Sequence, residues 1–226
     1  MKIKFCKLML VVISALVLVS MFTSTAFAYN YDFVKTYRDS FWNSKNPTFF
    51  KYVDNDCTNY ASQVAAFSGM PSWIDWNSGL LPEHYNLATT APSLRYAVDD
   101  NASKWYSITD TTKKLGITYT YHIYSRSWTI TTDFKNFMKT KSSYVTVTTY
   151  AQNKKAEMLA AAKVGDIIQL DGKHTIIIVR KDSNTKLFYT QHTVDRKEED
   201  IATFTTWAAS SSDGRKDKSF ILFHYK

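Results

Sequence analysis

Apolar residues recur at helical spacing in the first third of the chain. Phe33, Tyr37 and Phe41 follow one another every four residues, which predicts an amphipathic helix that ends near Asn43. A second helix is predicted from Cys57, and its apolar face is formed by Tyr60, Ala61, Val64 and Phe67. A glycine and a proline soon after that face, at positions 69 and 71, are typical of a helix end.

The pattern changes to that of strands from about residue 115. Strands are predicted at residues 117–124, 144–150, 166–170, 174–180, 186–192 and 220–225. Helices are predicted at residues 93–100, 132–138 and 154–163, and the aromatic residues between 71 and 110 are expected to anchor loops and core. Helices first and a mostly antiparallel sheet afterwards define an α+β fold, with the N-terminal helices packed on the sheet.

The N-terminus is typical of an export signal. Three lysines precede an apolar stretch at residues 8–19, which is too short to span a bilayer, and Ala26-Phe27-Ala28 is a small-x-small cleavage sequence. We expect cleavage after Ala28. Residues 29–226 are then predicted to form a single domain that is secreted, or associated with the cell wall, without stable membrane insertion.

The chain is basic, with a formal net charge of +8, which falls to +5 when the three signal lysines are removed (8 − 3). For an exported protein this charge favours anionic cell-wall polymers over nucleic acid as partners. The alternative interpretation is that the charge serves solubility alone.

Cys57 has the residue environment of a nucleophile. A thiolate is stabilised in the first turn of a helix by unpaired backbone N–H groups, and Asp54, Asn55 and Asp56 are expected to cap that turn. Asn59 and Gln63 lie away from the apolar face, so we expect both to be exposed to solvent. The alternative is that Cys57 is a small buried apolar residue.

His174 is the predicted partner of the thiol. It begins a continuous apolar run, which predicts a strand buried on both faces and covered on one of them by the Cys57 helix. If the following turn near residues 182–184 is a three-residue loop, His174 and His192 face each other across neighbouring strands, and His192 can orient the ring of His174. A loop of even length would separate them and leave Asp195 or Asn184 as weaker candidates.

A metal site built from the two histidines, with Asp195 or Cys57, is a further alternative. The spacing of these residues lacks the tight pairs of known zinc motifs, so we expect neither a metal nor another cofactor.

Several strings resemble one family, the amidase domain of exported proteins from Gram-positive bacteria. They are Asp56-Cys57-Thr58-Asn59-Tyr60-x-Ser62-Gln63, Ser125-Arg126-Ser127-Trp128, Gly165-Asp166-Ile167, His174 with its apolar tail, and Gln191-His192-Thr193 with Asp195. The resemblance implies a papain-like fold, similar to NlpC-type peptidases and CHAP amidases. It implies Cys57 as nucleophile, His174 as base and His192 as the orienting residue. Residues 53–55 lack the glycines common in the family, and residues 69–110 match little.

Residues and resemblance together predict a secreted cysteine amidase or peptidase. It would hydrolyse amide bonds, in peptidoglycan above all, by a Cys-His-His mechanism through a thioester. Two other functions stay open: a non-catalytic module that binds cell wall or glycan, and an acyltransferase that uses the same three residues.

Overall fold

The computed structural model describes residues 29–46, 49, 56–71, 95–100, 103–114 and 117–226. The predicted signal segment and most of the aromatic stretch that begins at residue 71 lie outside these ranges. No helix among the described residues is long and apolar enough to cross a membrane.

Apart from the segment at residues 93–100, the predicted helices and strands are present in the predicted order. The described helices are α1 (Tyr31–Phe41), α2 (Cys57–Phe67), α3 (Arg126–Thr129), α4 (Thr131–Lys139), α5 (Lys155–Ala161) and α6 (Ile201–Ala208). The described strands are β1 (Arg95–Asp99), β2 (Ser107–Lys114), β3 (Ile117–Ser125), β4 (Val145–Tyr150), β5 (Ile167–Leu170), β6 (His174–Lys181), β7 (Leu187–Gln191), β8 (Arg196–Asp200) and β9 (Phe220–Tyr225). The α+β class is confirmed.

Six strands form an antiparallel sheet in the order β4-β9-β5-β6-β7-β8. The other three form a smaller sheet in the order β1-β3-β2, in which β1 runs parallel to β3. The central strands β5 and β6 lie between neighbouring strands on both sides, and their side chains are buried on both faces of the sheet, which explains their continuous apolar sequence.

The centre of the larger sheet, at β5 and β6, is buried on both faces. On one face Ile177 and Val179 of β6 belong to a core that also contains Tyr60 and Val64 of α2. On the other face the alternate residues of β6 belong to a second core with α5 and α6, formed around Ile176, Ile178, Met158 and Phe204. The first core places α2, and with it Cys57, against β6.

The predicted helix at residues 93–100 is wrong, because Arg95–Asp99 forms strand β1 and pairs in parallel with β3. Strands β2 and β8 and helices α3 and α6 have no counterpart among the predicted elements. The five residues Arg196–Asp200 are all charged and carry no apolar alternation, and charged residues are common on edge strands such as β8. Trp105 and Tyr106 are fully buried, which confirms the core use predicted for the aromatic residues, as far as these two are concerned.

The first described residues pack against the C-terminal strand beside Gly165. Tyr29 stacks on Tyr225 with ring centroids 4.5 Å apart, and the Tyr31 hydroxyl donates to the Tyr225 carbonyl at 2.7 Å. Gly165 has φ +90°, and a Cβ at this position would lie 2.9 Å from Tyr31 Cε1. Both the backbone conformation and the lack of space therefore require glycine here.

We predict that Gly165→Ala lowers the free energy of unfolding by about 3 kcal/mol, through backbone strain and overpacking together. Gly214→Ala is the matched control, because Gly214 also has a positive φ (+65°) but open space around its Cα. The control should lose about 1–2 kcal/mol. Equal losses in urea denaturation of the two variants would contradict the packing argument.

Candidate active site

Cys57 is the first residue of α2, and only 4% of its surface is exposed. Its thiol lies close enough to the ring of His174 and to the backbone N–H of Thr175 for both to stabilise a thiolate. Thr58 Oγ1 lies 3.9 Å from Cys57 Sγ and 3.1 Å from Thr175 Oγ1, so the start of the helix is tied to the start of β6. The helix and strand that the sequence predicts thus bring the thiol and the imidazole together.

The electrostatics of this pair favour the charged forms. Burial raises the pKa of the Cys57 thiol, but the hydrogen bond and charge of His174, with the Thr175 and Thr58 donors, outweigh burial and leave the pKa below its ordinary value. Burial lowers the pKa of His174, but Cys57 and then Gln191 outweigh it and leave the pKa raised. Each residue therefore stabilises the ion that the other carries.

The other nitrogen of His174 bonds to Gln191, which precedes His192. His174 Nε2 lies 2.6 Å from Gln191 Oε1, and Gln191 Nε2 donates to the Val194 carbonyl at 2.9 Å. The second bond fixes the amide orientation, so the oxygen faces His174 and Nε2 must be the donor. Nδ1 is then the ring nitrogen that can exchange a proton with the thiol, which is what a general base must do.

The predicted contact between His174 and His192 is wrong. Ile177 pairs with Thr190. The predicted register instead pairs Ile177 with Tyr189, which is one residue earlier in β7. The hairpin loop is odd in length, but a register shift between Ile178 and Arg180 adds one residue to β6. Because a shift of one residue exchanges the two faces, His192 lies on the face opposite His174.

His192 is instead held between two acceptors. Its Nδ1 lies 2.6 Å from Asp56 Oδ2, its Nε2 lies 2.6 Å from the Phe41 carbonyl, and its ring stacks on Tyr60 with centroids 3.9 Å apart. Both ring nitrogens of His192 therefore face an oxygen acceptor, and the ring is only 2% exposed. A polar ring buried to this extent depends on these two partners.

Asp56 does not cap α2 with its side chain, although the sequence predicted that it would. Its carboxylate accepts from Lys45 Nζ, from Asn59 Nδ2 at 2.7 Å and from His192. These three donors compensate the loss of hydration of a carboxylate that is only 1% exposed. Asp56 precedes the nucleophile and His192 follows Gln191, so one ion pair fixes the positions of both.

Asn59 and Gln63 are buried, and the prediction that they are exposed is wrong. Trp128 Nε1 donates to Asn59 Oδ1 at 2.8 Å, and the Tyr37 hydroxyl donates to Gln63 Oε1. The reason is that α1 and α3 cover the side of α2 that the sheet leaves open.

The other candidates lie away from the thiol. Asn184 is exposed in the β6–β7 loop, and Asp195 is exposed in the turn before β8. Over the described ranges, no group of three or more histidine, cysteine, aspartate or glutamate residues is arranged to hold a metal ion.

Sequence reasoning missed the roles of Gln191 and Asp56, although both stand in the strings quoted for the family. The turn after Gln191 contains Thr193 with φ +92°, a strained conformation for a β-branched residue. Such strain beside a paired thiol and imidazole is typical of functional sites. No feature of the local sequence pattern predicts the positive φ of Thr193.

The chain belongs to the family described as "Putative amidase domain", whose model matches residues 28–215. The match includes every residue of the site described above. Searches of curated proteins and of solved structures found no match. Family membership defines the class of the protein, and hydrolysis of amide bonds is the activity that this class suggests.

We predict that Asp56→Asn lowers the free energy of unfolding by about 3–5 kcal/mol, because it removes the buried carboxylate on which Lys45, Asn59 and His192 converge. The control is Asp39→Asn, an exposed carboxylate paired with Lys197 at 3.2 Å, which should change stability by less than about 1 kcal/mol. In a double-mutant cycle, Asp56→Asn and His192→Gln should cost less together than the sum of their separate costs. Additive losses would contradict a direct ion pair.

Proposed function

We propose that the protein is a secreted cysteine amidase that hydrolyses amide bonds through a thioester on Cys57. His174 is the general base and acid, and Gln191 orients its ring. His192 has no direct role in this scheme and acts through Asp56 and Gln191. The observation that carries the proposal is the buried position of a helix-start thiol beside an imidazole that Gln191 orients. The proximity of the two groups lowers the pKa of the thiol and raises that of the ring.

The reaction begins with attack of the Cys57 thiolate on the carbonyl carbon of the amide. A C–S bond forms, and the carbonyl electron pair moves to oxygen, where the backbone N–H of Cys57 donates to the oxyanion. The His174 imidazolium then gives its proton to the amide nitrogen as the C–N bond breaks. The products of this half are a free amine and a thioester on Cys57.

Water completes the cycle. His174, now neutral, takes a proton from water as the water oxygen attacks the thioester carbonyl. The C–S bond breaks, the acid leaves, and the thiolate and imidazolium are restored. Gln191 Oε1 accepts from Nε2 in both states of the ring, so the ring keeps its orientation throughout.

The layout of these parts supports a papain-like relationship. A cysteine opens a helix that crosses an antiparallel sheet, a histidine opens a central strand, and a polar side chain on the next strand bonds to the histidine. Peptidoglycan is the substrate that the predicted export signal and the family resemblance favour.

We predict that the protein releases new amino groups from isolated peptidoglycan or from a panel of N-acetylated peptides, and that Cys57→Ala lowers the rate by about 10⁴-fold or more. Asn184→Ala, in the exposed loop, is the control and should keep the wild-type rate. Mass spectrometry of the quenched wild-type reaction should find an acyl group on Cys57. Amine release that persists in Cys57→Ala would overturn the mechanism.

A further inference from the structure

A cleft of about 340 Å³ opens beside His174, between strands β6 to β8 and helix α6. We call it the amine cleft. Its wall includes His174 and Gln191 from the site, the cations Lys173 and Arg196, and the aromatic rings of Phe204 and Trp207. Its volume is at the low end of the range for small-ligand sites, about 300–1,000 Å³, so one or two amino-acid residues suit it.

The position of the cleft assigns it to one side of the scissile bond. In the proposed mechanism His174 gives its proton to the leaving nitrogen, so that nitrogen must lie against the ring when the C–N bond breaks. The same ring forms part of the cleft wall. The portion of the substrate attached to the leaving nitrogen can then extend past the ring into the cleft.

The charges that line the cleft are positive. Lys173 is exposed and makes no ion pair or side-chain hydrogen bond with the described residues, while Arg196 pairs with Glu199 at 3.4 Å. Outside the cleft lining, the guanidinium of Arg215 lies 4.6 Å from the Trp207 ring centroid. An ammonium without a counterion beside the leaving-group position favours a carboxylate.

The apolar part of the wall is open to solvent. Trp207 is 37% exposed and Val194 is 54% exposed, and the Trp207 ring meets His174 edge to face at 5.5 Å. A flat exposed ring next to a cation can cover the aliphatic or amide part of a residue whose carboxylate reaches the cation.

We propose that the amine cleft binds the leaving-amine portion of the substrate and selects a carboxylate on it through Lys173. The substrate class is then a peptide whose released amine fragment is one or two residues long and carries a carboxylate. This inference rests on the proposed function, because the reaction of Cys57 and His174 defines which side of the amide enters the cleft.

The binding test compares alanyl-alanine with its C-terminal amide, two ligands that differ only in the carboxylate. Isothermal titration of the Cys57→Ala protein should give about fivefold tighter binding of the acid. Lys173→Gln in the same background should remove the preference. The control Lys139→Gln, which changes an exposed lysine at the end of α4, away from the cleft lining, should keep it.

The reaction test uses the same two peptides as acceptors of an acyl group. 4-Nitrophenyl acetate acylates Cys57 with release of nitrophenol. The peptide nitrogen then attacks the thioester carbonyl, its proton passes to His174, a C–N bond forms and the C–S bond breaks. The acceptor follows the path of the leaving amine in reverse. The ratio of acetylated peptide to acetate should therefore be about five times higher with the acid than with the amide. In Lys173→Gln the two acceptors should give the same ratio.

The two tests separate the two claims. An acyl-enzyme that forms on Cys57 while acid and amide bind and react equally well overturns the cleft assignment and leaves the proposed function intact. A preference for the acid that depends on Lys173, without any acyl group on Cys57, overturns the proposed function and with it the assignment of the cleft to a leaving amine.

Discussion

The buried ion pair between Asp56 and His192 is the constraint on which the site depends. It joins the residue before the nucleophile to the residue after Gln191, and the Phe41 carbonyl and Lys45 tie the segment after α1 to the same pair. Both side chains are buried, so the bond between them, with those of Lys45 and Asn59 to the same carboxylate, replaces the water that they lack. The thiol and the orienting amide are thus held by one set of contacts.

A second pair, Cys57 and His174, carries out the proposed chemistry, and burial acts against the charged forms of both residues. Their mutual contact, with the donors around the thiol and Gln191 behind the ring, outweighs burial in the pKa of each. This effect requires that the two groups stay close, and the network of Asp56 and His192 joins the segments that carry them. The amine cleft adds selection on the side of the ring where the leaving nitrogen departs.

Local patterns predicted the elements that carry the nucleophile and the base. Helical periodicity located the helix at Cys57, and the apolar run located the strand at His174, because both signals arise within a few residues. The partner of His174 depends instead on a single extra residue in β6, between Ile178 and Arg180, and periodicity carries no signal for it. Strand β1 likewise depends on parallel pairing with β3, which long-range contacts decide.

The most direct test is the rate of alkylation of Cys57 by iodoacetamide as a function of pH. Residues 29–226 contain no other thiol, so no substrate has to be known. The account predicts an apparent pKa below the ordinary thiol value of 9.0, and a pKa that rises in His174→Ala, because the imidazolium that stabilises the thiolate is gone. A thiol that stays inert, or that titrates at its ordinary pKa with or without His174, would contradict the account.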